Sequence, residues 1–263
     1  MTTIGAVESL WRYPVKSMQG QPVREMFMGF SGFYGDRVFA FKSSTARKGF
    51  PYLAATAHEQ MLRYRPQFRH PERTAKPPNL FEAMSIAPGV SPINAEPDDL
   101  MVDVVTPSGA VMAVDDPALI EMLGEGLPGG NQITFVRSDR NMIDCRPVSL
   151  ISLQSVRQLE AELGIPIDKR RFRMNVYLDL ASDEAFAEDK LVGRKLRIGS
   201  NAEIMVLERD PRCKMISLDP DTGDHNPEVL RKVAQAHDTY MGVYCAVLVE
   251  GVLAEGDPID VLD

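Results

Sequence analysis

The sequence predicts a β-rich α+β fold with a few flanking helices, and three observations carry that expectation. Short apolar segments alternate with glycine turns through the first sixty residues and again from residue 100 onward. Helical periodicity is confined to three stretches. No apolar run approaches the ~20 residues that a spanning helix needs.

The elements follow in order. "IGAVESLWRYPVKS" and "REMFMGFSGFYGDRVFAFKS" read as antiparallel strands punctuated by Gly29, Gly32 and Gly35. Between Pro66 and Pro97 lie seven prolines (66, 71, 77, 78, 88, 92 and 97), which predict a long irregular excursion. "LMVDVVTPSGAVMAVDD" reads as two strands around the turn at Pro107, Ser108 and Gly109. "DPALIEMLGE" reads as a short helix with Asp116 as N-cap and Pro117 in its first position. "NQITFVRS" is a strand. A second helix follows, capped by Ser152, with Val156, Leu159 and Leu163 on one face and Gly164 at its end. "RRFRMNVYLDL" alternates as a strand, which would set Arg171, Arg173 and Asn175 side by side. "KLRIGSNAEIMVLER" is a hairpin, "NPEVLRKVAQAH" a third helix and "YMGVYCAVLVEG" a buried strand. The expected division is 1–115 and 116–263.

Composition narrows the function. A net charge of -8 over 263 residues opposes general affinity for nucleic acid or anionic membranes, while leaving room for a local basic pocket. The N-terminus lacks the pattern of a secretory signal, so a cytoplasmic location is expected. Cys145, Cys213 and Cys245 are an odd number with no C-x-x-C pair, so reduced thiols are expected rather than a disulfide framework or a zinc ribbon.

The stretch "RDPRCKMISLDPDTGDH" holds the most chemistry. Its "DPDTG" is in the first place a turn, with Pro220 presetting φ and Gly223 free to take positive φ. An aspartic-protease reading fails for want of a second such triplet, and a calcium loop fails because Leu230 stands where a bidentate glutamate belongs. Arg209, Arg212 and Lys214 flank Cys213, and a positive field favours the thiolate that attacks electrophiles or binds metals, although a lone cysteine is more often inert packing. "KRRFR" is by default a solvated charge run. The strand alternation would instead aim Arg171, Arg173 and Asn175 at a phosphate or a polar ring edge.

Taken together, "DPRCKMISLDPDTG", "RRFRMN", "AEDKLVGRKLRIG" and "MGVYCAVLVEGVLAEGD" resemble, in order and spacing, a MOSC domain, named for the molybdenum-cofactor sulfurase C-terminal region. "LWRYPVKSMQG" with "GDRVFAF" resembles the β-barrel domain that precedes MOSC in amidoxime-reducing proteins and their bacterial relatives. The resemblance implies an N-terminal β-barrel-like domain followed by a MOSC β-barrel. It also implies a molybdenum–molybdopterin cofactor with Cys213 as the protein's metal ligand. Cofactor contacts carry over to Lys16, Ser17, Arg37, Arg173, Asn175, Pro211, Arg212 and Tyr244. Lys16 and Arg37 would suit the terminal phosphate, and Arg173 with Asn175 the ring edge. Asp219 and Asp221 are candidates for shaping the mouth.

Two departures stand out. Cys145 and Arg146 occupy positions where amidoxime-reducing relatives tend to carry small hydroxyl residues, and the chain ends at Asp263 without the cysteine cluster of an appended ferredoxin domain. The implied activity is reduction of small N-hydroxylated or N-oxide-like substrates such as amidoximes, hydroxylamines or N-hydroxylated bases. Electrons would come from a separate flavin or iron–sulfur protein. The alternatives are a sulfur carrier or cofactor-handling protein using a persulfide on Cys213, and a binding domain that kept the fold without the metal.

Overall fold

The computed structural model describes residues 1–86, 98–127 and 129–262. The chain opens with strands β1 (Thr2–Arg12), β2 (Gln21–Val23), β3 (Glu25–Gly29), β4 (Gly32–Phe33), β5 (Phe39–Ser43) and β6 (Arg65–Phe68). Helix α1 (Leu80–Ile86), β7 (Val102–Val105), β8 (Val111–Ala113), α2 (Pro117–Gly124) and β9 (Ile133–Arg137) follow. The remainder is β10 (Val148–Ser152), α3 (Leu153–Leu163), β11 (Val176–Leu180), β12 (Lys195–Ile198), β13 (Ala202–Pro211), α4 (Pro227–Ala236), β14 (Tyr240–Val249), β15 (Gly251–Ala254) and β16 (Pro258–Leu262). Among the described residues no helix is long and apolar enough to cross a membrane.

Seven strands close a barrel in the order β11-β10-β14-β13-β12-β16-β1, with β1 pairing back onto β11 and β2 appended to β1. Alternate residues fill its interior: Leu196 and Ile198 on β12, Ile204 and Val206 on β13, Val243 and Cys245 on β14, all fully buried. Only β10 and β11 of the barrel pair in parallel, and α3 supplies the crossover such a pair requires. The seam between β1 and β11 is tight at Gly5, where an added Cβ would lie 2.3 Å from the Asp179 carbonyl oxygen.

A second core gathers Val15, Met18, Phe39, Phe41, Met61, Val102, Val104, Leu119 and Leu123 beneath the sheets β5-β9 and β6-β7-β8. The two cores are threaded through each other in sequence. Strand β1 belongs to the barrel, whereas α2 and β9 pack on the second core. A third cluster seats α3 and α4 on the barrel through Val156, Leu159, Val229 and Val233.

The capping signals act as read. The Asp116 side chain accepts from the Ala118 amide at 2.8 Å, the Ser152 hydroxyl from the Ser155 amide at 3.1 Å, and Gly164 ends α3 at φ 68°. Two expectations need correction. The proline-rich stretch contains strand β6 and helix α1, the helix starting just after Pro77 and Pro78; Pro88, Pro92 and Pro97 lie outside the described residues. "RRFRMNVYLDL" is not one strand. Lys169–Phe172 form a 3-10 turn because the Asp168 carboxylate captures the Arg170 amide at 2.8 Å, Arg173 turns left-handed at φ 53°, and β11 begins only at Val176.

Candidate functional site

A cavity of about 630 Å³ opens between the barrel and the second core. Seven lysine or arginine side chains line it (Lys16, Arg37, Arg47, Arg146, Arg173, Arg212, Lys214) against two carboxylates, Asp144 and Asp210. A chain of net charge -8 thus lines one concave surface with an excess of cations, although Asp36, Glu59 and Glu208 pair with Arg37, Lys214 and Arg146 from behind the wall. Ser17, Asn175, Pro211, Cys213 and Tyr244 also line it, so nine residues singled out in the sequence meet in one place.

Three turns deliver the cations. Ser17, Arg37 and Arg173 hold φ of 68°, 48° and 53°, three of the six non-glycine residues with positive φ among the described residues. Such backbone costs energy and persists only where its surroundings impose it. Asp36, fully buried, does so at Arg37: it accepts from the Tyr13 amide at 2.7 Å and pairs with the Arg37 guanidinium. The buried Tyr13 ring carries two guanidiniums, Arg173 at 4.3 Å and Arg37 at 4.8 Å.

The cations differ in what holds them. Lys16, 4% exposed, donates to the Met142 carbonyl at 2.8 Å and pairs with Asp144, which is 61% exposed. Burial lowers the Lys16 pKa; Asp144 opposes this and Arg37 and Arg173 add to it. Arg37 donates to the Asn175 side-chain oxygen at 3.4 Å and the Arg173 carbonyl at 3.3 Å. Burial works against its charge, but Asp36 and Tyr13 prevail and its pKa rises. Arg212 pairs with Asp210 and donates to the Phe172 carbonyl at 2.6 Å, while its buried Nε has no partner among the described residues. The Arg173 guanidinium has no acceptor among the described residues, and burial followed by repulsion from Arg37 lowers its pKa despite the Tyr13 ring.

Asn175 lines the cavity, but its amide is already engaged. The oxygen accepts from Arg37 and, at 3.3 Å, from Ser149, and the nitrogen donates to the Trp11 carbonyl at 3.2 Å. It braces Arg37. Tyr244 sits beside Asp210; burial and that carboxylate both push its phenol pKa up, and burial raises Asp210 in turn.

Cys213 is exposed and caps the 3-10 turn Lys214–Ser217. Its sequence neighbours are not the free positive field that was expected. Arg209 turns away to stack on Tyr240 at 4.3 Å beside Asp189, and Lys214 pairs with Glu59 at 2.5 Å. Cys145 is a second exposed thiol on the cavity wall, 3.9 Å from Glu208, with its pKa raised by burial and then by that carboxylate. Cys245 is buried in the barrel, and burial pushes its thiol far up.

Asp219 and Asp221 do not line the cavity. Asp219 accepts from the Asp221 and Thr222 amides at 3.0 Å each and pairs with Arg171 at 3.2 Å; Asp221 pairs with Arg170 at 2.6 Å. They pin the turn after Cys213 to the turn before Arg173. Gly223, at φ 80°, seats that turn against the Glu59 backbone, where a Cβ would lie 2.7 Å from the carbonyl oxygen.

Sequence reasoning missed Asp36, Tyr13, Asp144 and Asp210, the partners that hold the cations, and the wall contributed by Arg47, Phe50 and Tyr52. Asp36, Tyr13 and Asp210 each lay inside a quoted motif, "GDR", "LWRYPVKS" and "DPRCK", whereas Asp144 lay in none.

The arrangement fits an anionic, ring-bearing cofactor. The Arg173 guanidinium lacks an acceptor among the described residues, and Cys213 and Cys145 present exposed thiols on the wall. Among the described residues no three His, Cys, Asp or Glu side chains cluster to hold a bare ion, so a metal at Cys213 would bring its remaining ligands with it.

Comparison with known proteins places these features. The family model of the MOSC domain matches residues 137–260. Mitochondrial amidoxime reducing component 2 of Bos taurus is 32% identical over 129 residues, which are 44% of this chain and 37% of that protein, so the match spans little more than a third of the relative. Among solved structures, the YuaD protein from Bacillus subtilis aligns over 98% of this chain and 94% of its own at 12% identity and TM-score 0.45. YiiM from Geobacillus stearothermophilus aligns over 45% of this chain and 55% of its own at 19% identity and TM-score 0.36. The stretch that matches the MOSC family model runs from β10 into β16, and strand β1 from the N-terminus completes the barrel those strands form.

Proposed function

We propose that this MOSC-domain chain is a molybdenum-cofactor-dependent reductase of small N-hydroxylated compounds, supplied with electrons by a separate flavin or iron–sulfur protein. The observation that carries the reading is the cavity's excess of cations: seven line it against two lining carboxylates and three more paired from behind, around an exposed thiol, in a protein of net charge -8. When bound, a molybdenum–molybdopterin group would supply two-electron chemistry at the N–O bond.

The chain's own residues supply the rest. Cys213 would be the protein ligand, held by the turn that Asp219 and Asp221 pin. Lys16 and Arg37 would hold the phosphate, with Asn175 bracing Arg37. Arg173, which lines the cavity and has no acceptor among the described residues, offers donors to the remainder of the group. Tyr244 and Asp210 close the wall beside Arg212.

The exposure of Cys213 also suits the second reading, a sulfur carrier that takes a persulfide on that thiol. One experiment divides them: metal analysis and X-ray absorption of protein made in a molybdopterin-competent host, with reduced viologen and a simple amidoxime as assay. About one molybdenum per chain is expected, with a sulfur-to-metal signal and turnover that Cys213→Ala abolishes. Turnover retained by Cys213→Ala would refute the ligand assignment. A transferable persulfide without metal would shift the function to sulfur transfer.

A further inference from the structure

The segment between β5 and the second core contributes Thr45, Ala46, Arg47, Phe50, Tyr52, Ala54, Thr56 and Ala57 to the cavity, and part of it has the composition of a ring-binding wall. Phe50 and Tyr52 meet edge to face, with centroids 5.5 Å apart and planes at 83°. Both are half-buried and face the cavity. The Lys16 ammonium lies 5.1 Å from each centroid, and the Arg47 guanidinium 5.3 Å from that of Phe50.

Internal cation–π ties account for only part of this. The exposed Arg47 tie is weak and the Lys16 ties are buried on one side only, whereas removing an aromatic ring from water is strongly favourable, and both rings still line the concave site. The two cations beside them are also incompletely satisfied. Arg47 is exposed and has no hydrogen-bond acceptor among the described residues. Among the described residues the one carboxylate on Lys16 is Asp144, mostly in water and open to displacement by a stronger anion. Two cations next to two open rings match a phosphate joined to a flat heterocycle. The phosphate bridges Lys16 and Arg47, and the heterocycle stacks where the rings are bare, as bases stack on aromatic side chains in nucleotide-binding proteins.

We propose that Arg47, Phe50 and Tyr52 form a stacking subsite for the base of a nucleoside phosphate whose phosphate lies at Lys16. The ligand is either a free nucleotide or a nucleotide carried on the phosphate end of the cofactor. The inference shares Lys16 with the reductase reading but requires neither metal nor turnover, so each is able to fail without the other.

Calorimetric titration of the purified chain with AMP and CMP, using ribose 5-phosphate as the ring-free control, tests it. At least one nucleotide is expected to bind about ten-fold more tightly than the control, a difference of about 1.4 kcal/mol. Phe50→Ala and Tyr52→Ala are each expected to bring the ratio close to one while changing ribose 5-phosphate affinity less than two-fold. Phe50→Leu, which keeps apolar bulk without a flat face, guards against misfolding and is expected to behave as Phe50→Ala. Equal affinity for nucleotides and ribose 5-phosphate would overturn the subsite, as would a preference that survives all three variants. Mass spectrometry of what the heat-denatured protein releases distinguishes the sources: a pterin carrying a nucleotide assigns the subsite to the cofactor, and a free nucleotide or a nucleotide-free pterin assigns it to nucleotides from solution.

Discussion

Inside the barrel, Leu150, Val176, Ile204 and Val243 are fully buried within one cluster of apolar side chains that includes the Cys245 thiol. The cavity beside it gathers seven cations and three left-handed non-glycine residues. The first region is organised to gain stability and the second spends some of it, since like charges and positive φ both oppose folding until a ligand arrives. The difference teaches where substitutions should hurt stability, where they should hurt binding, and where the two should separate.

The largest effect is expected in the barrel. Ile204→Ala removes buried methyl groups from a fully buried position and should cost about 3 kcal/mol, read as a lowered denaturant midpoint. Cofactor occupancy of the fraction that stays folded should be unchanged. A midpoint within error of the parent would mean that the barrel interior is not the principal core.

The reverse pattern is expected at Arg173. Arg173→Met keeps bulk over Tyr13 and removes a half-buried cation that partial burial and Arg37 both disfavour, so stability should hold or rise by up to ~1 kcal/mol. Molybdenum and pterin content should fall at least ten-fold if this guanidinium faces the cofactor. Loss of stability together with retained cofactor would erase the contrast between the regions.

How far each region was legible in the sequence follows the same divide. The barrel strands β12, β13 and β14 were readable because period-two burial leaves its mark on every alternate residue, and α2, α3 and α4 because their caps are local. The cavity residues were reached through motif resemblance, not spacing: Lys16, Arg37, Arg173 and Cys213 stand on four separate segments that only tertiary packing joins. Where local reasoning was pressed to place them, it failed. Alternation put Arg171 beside Arg173, but the Asp168 cap converts those residues into a 3-10 turn and sends Arg171 to Asp219 instead. Asp144 left no signal at all, because a carboxylate that balances a cation 128 residues away looks like any surface aspartate in sequence.

A smaller effect lies in pH. Burial depresses the Lys16 pKa below the ordinary lysine value of 10.5, so on raising the pH the folded protein releases this proton before the unfolded chain does. Between those two values the unfolded state binds more protons, so this group costs stability below the window and the cost fades as pH rises through it. Anion binding runs the other way, since it needs the charged amine. Phosphate affinity should therefore decline on the alkaline side at lower pH than an ordinary lysine would allow. Lys16→Arg should move that limb upward, and an alkaline limb unaffected by Lys16→Arg would assign it to another group.

The smallest effect sharpens the claim about strain. Ser17 holds φ 68° with no glycine's freedom, and a left-handed L-residue costs roughly 1–2 kcal/mol. Ser17→Gly should relieve that cost, but glycine also gives the unfolded chain more freedom, which takes back roughly 0.4–1 kcal/mol. The net expectation is a gain of about 0.5 kcal/mol, a rise of ~1–2 °C in the melting temperature of ligand-free protein. Ser17→Ala shares the strain and should show no gain, which separates backbone relief from loss of the hydroxyl. Because Ser17 lines the cavity, the glycine should also loosen the turn that presents Lys16, so cofactor occupancy should drop while stability rises. If Ser17→Gly melts below Ser17→Ala, the left-handed turn is not strained, and the cavity owes its shape to its charges alone.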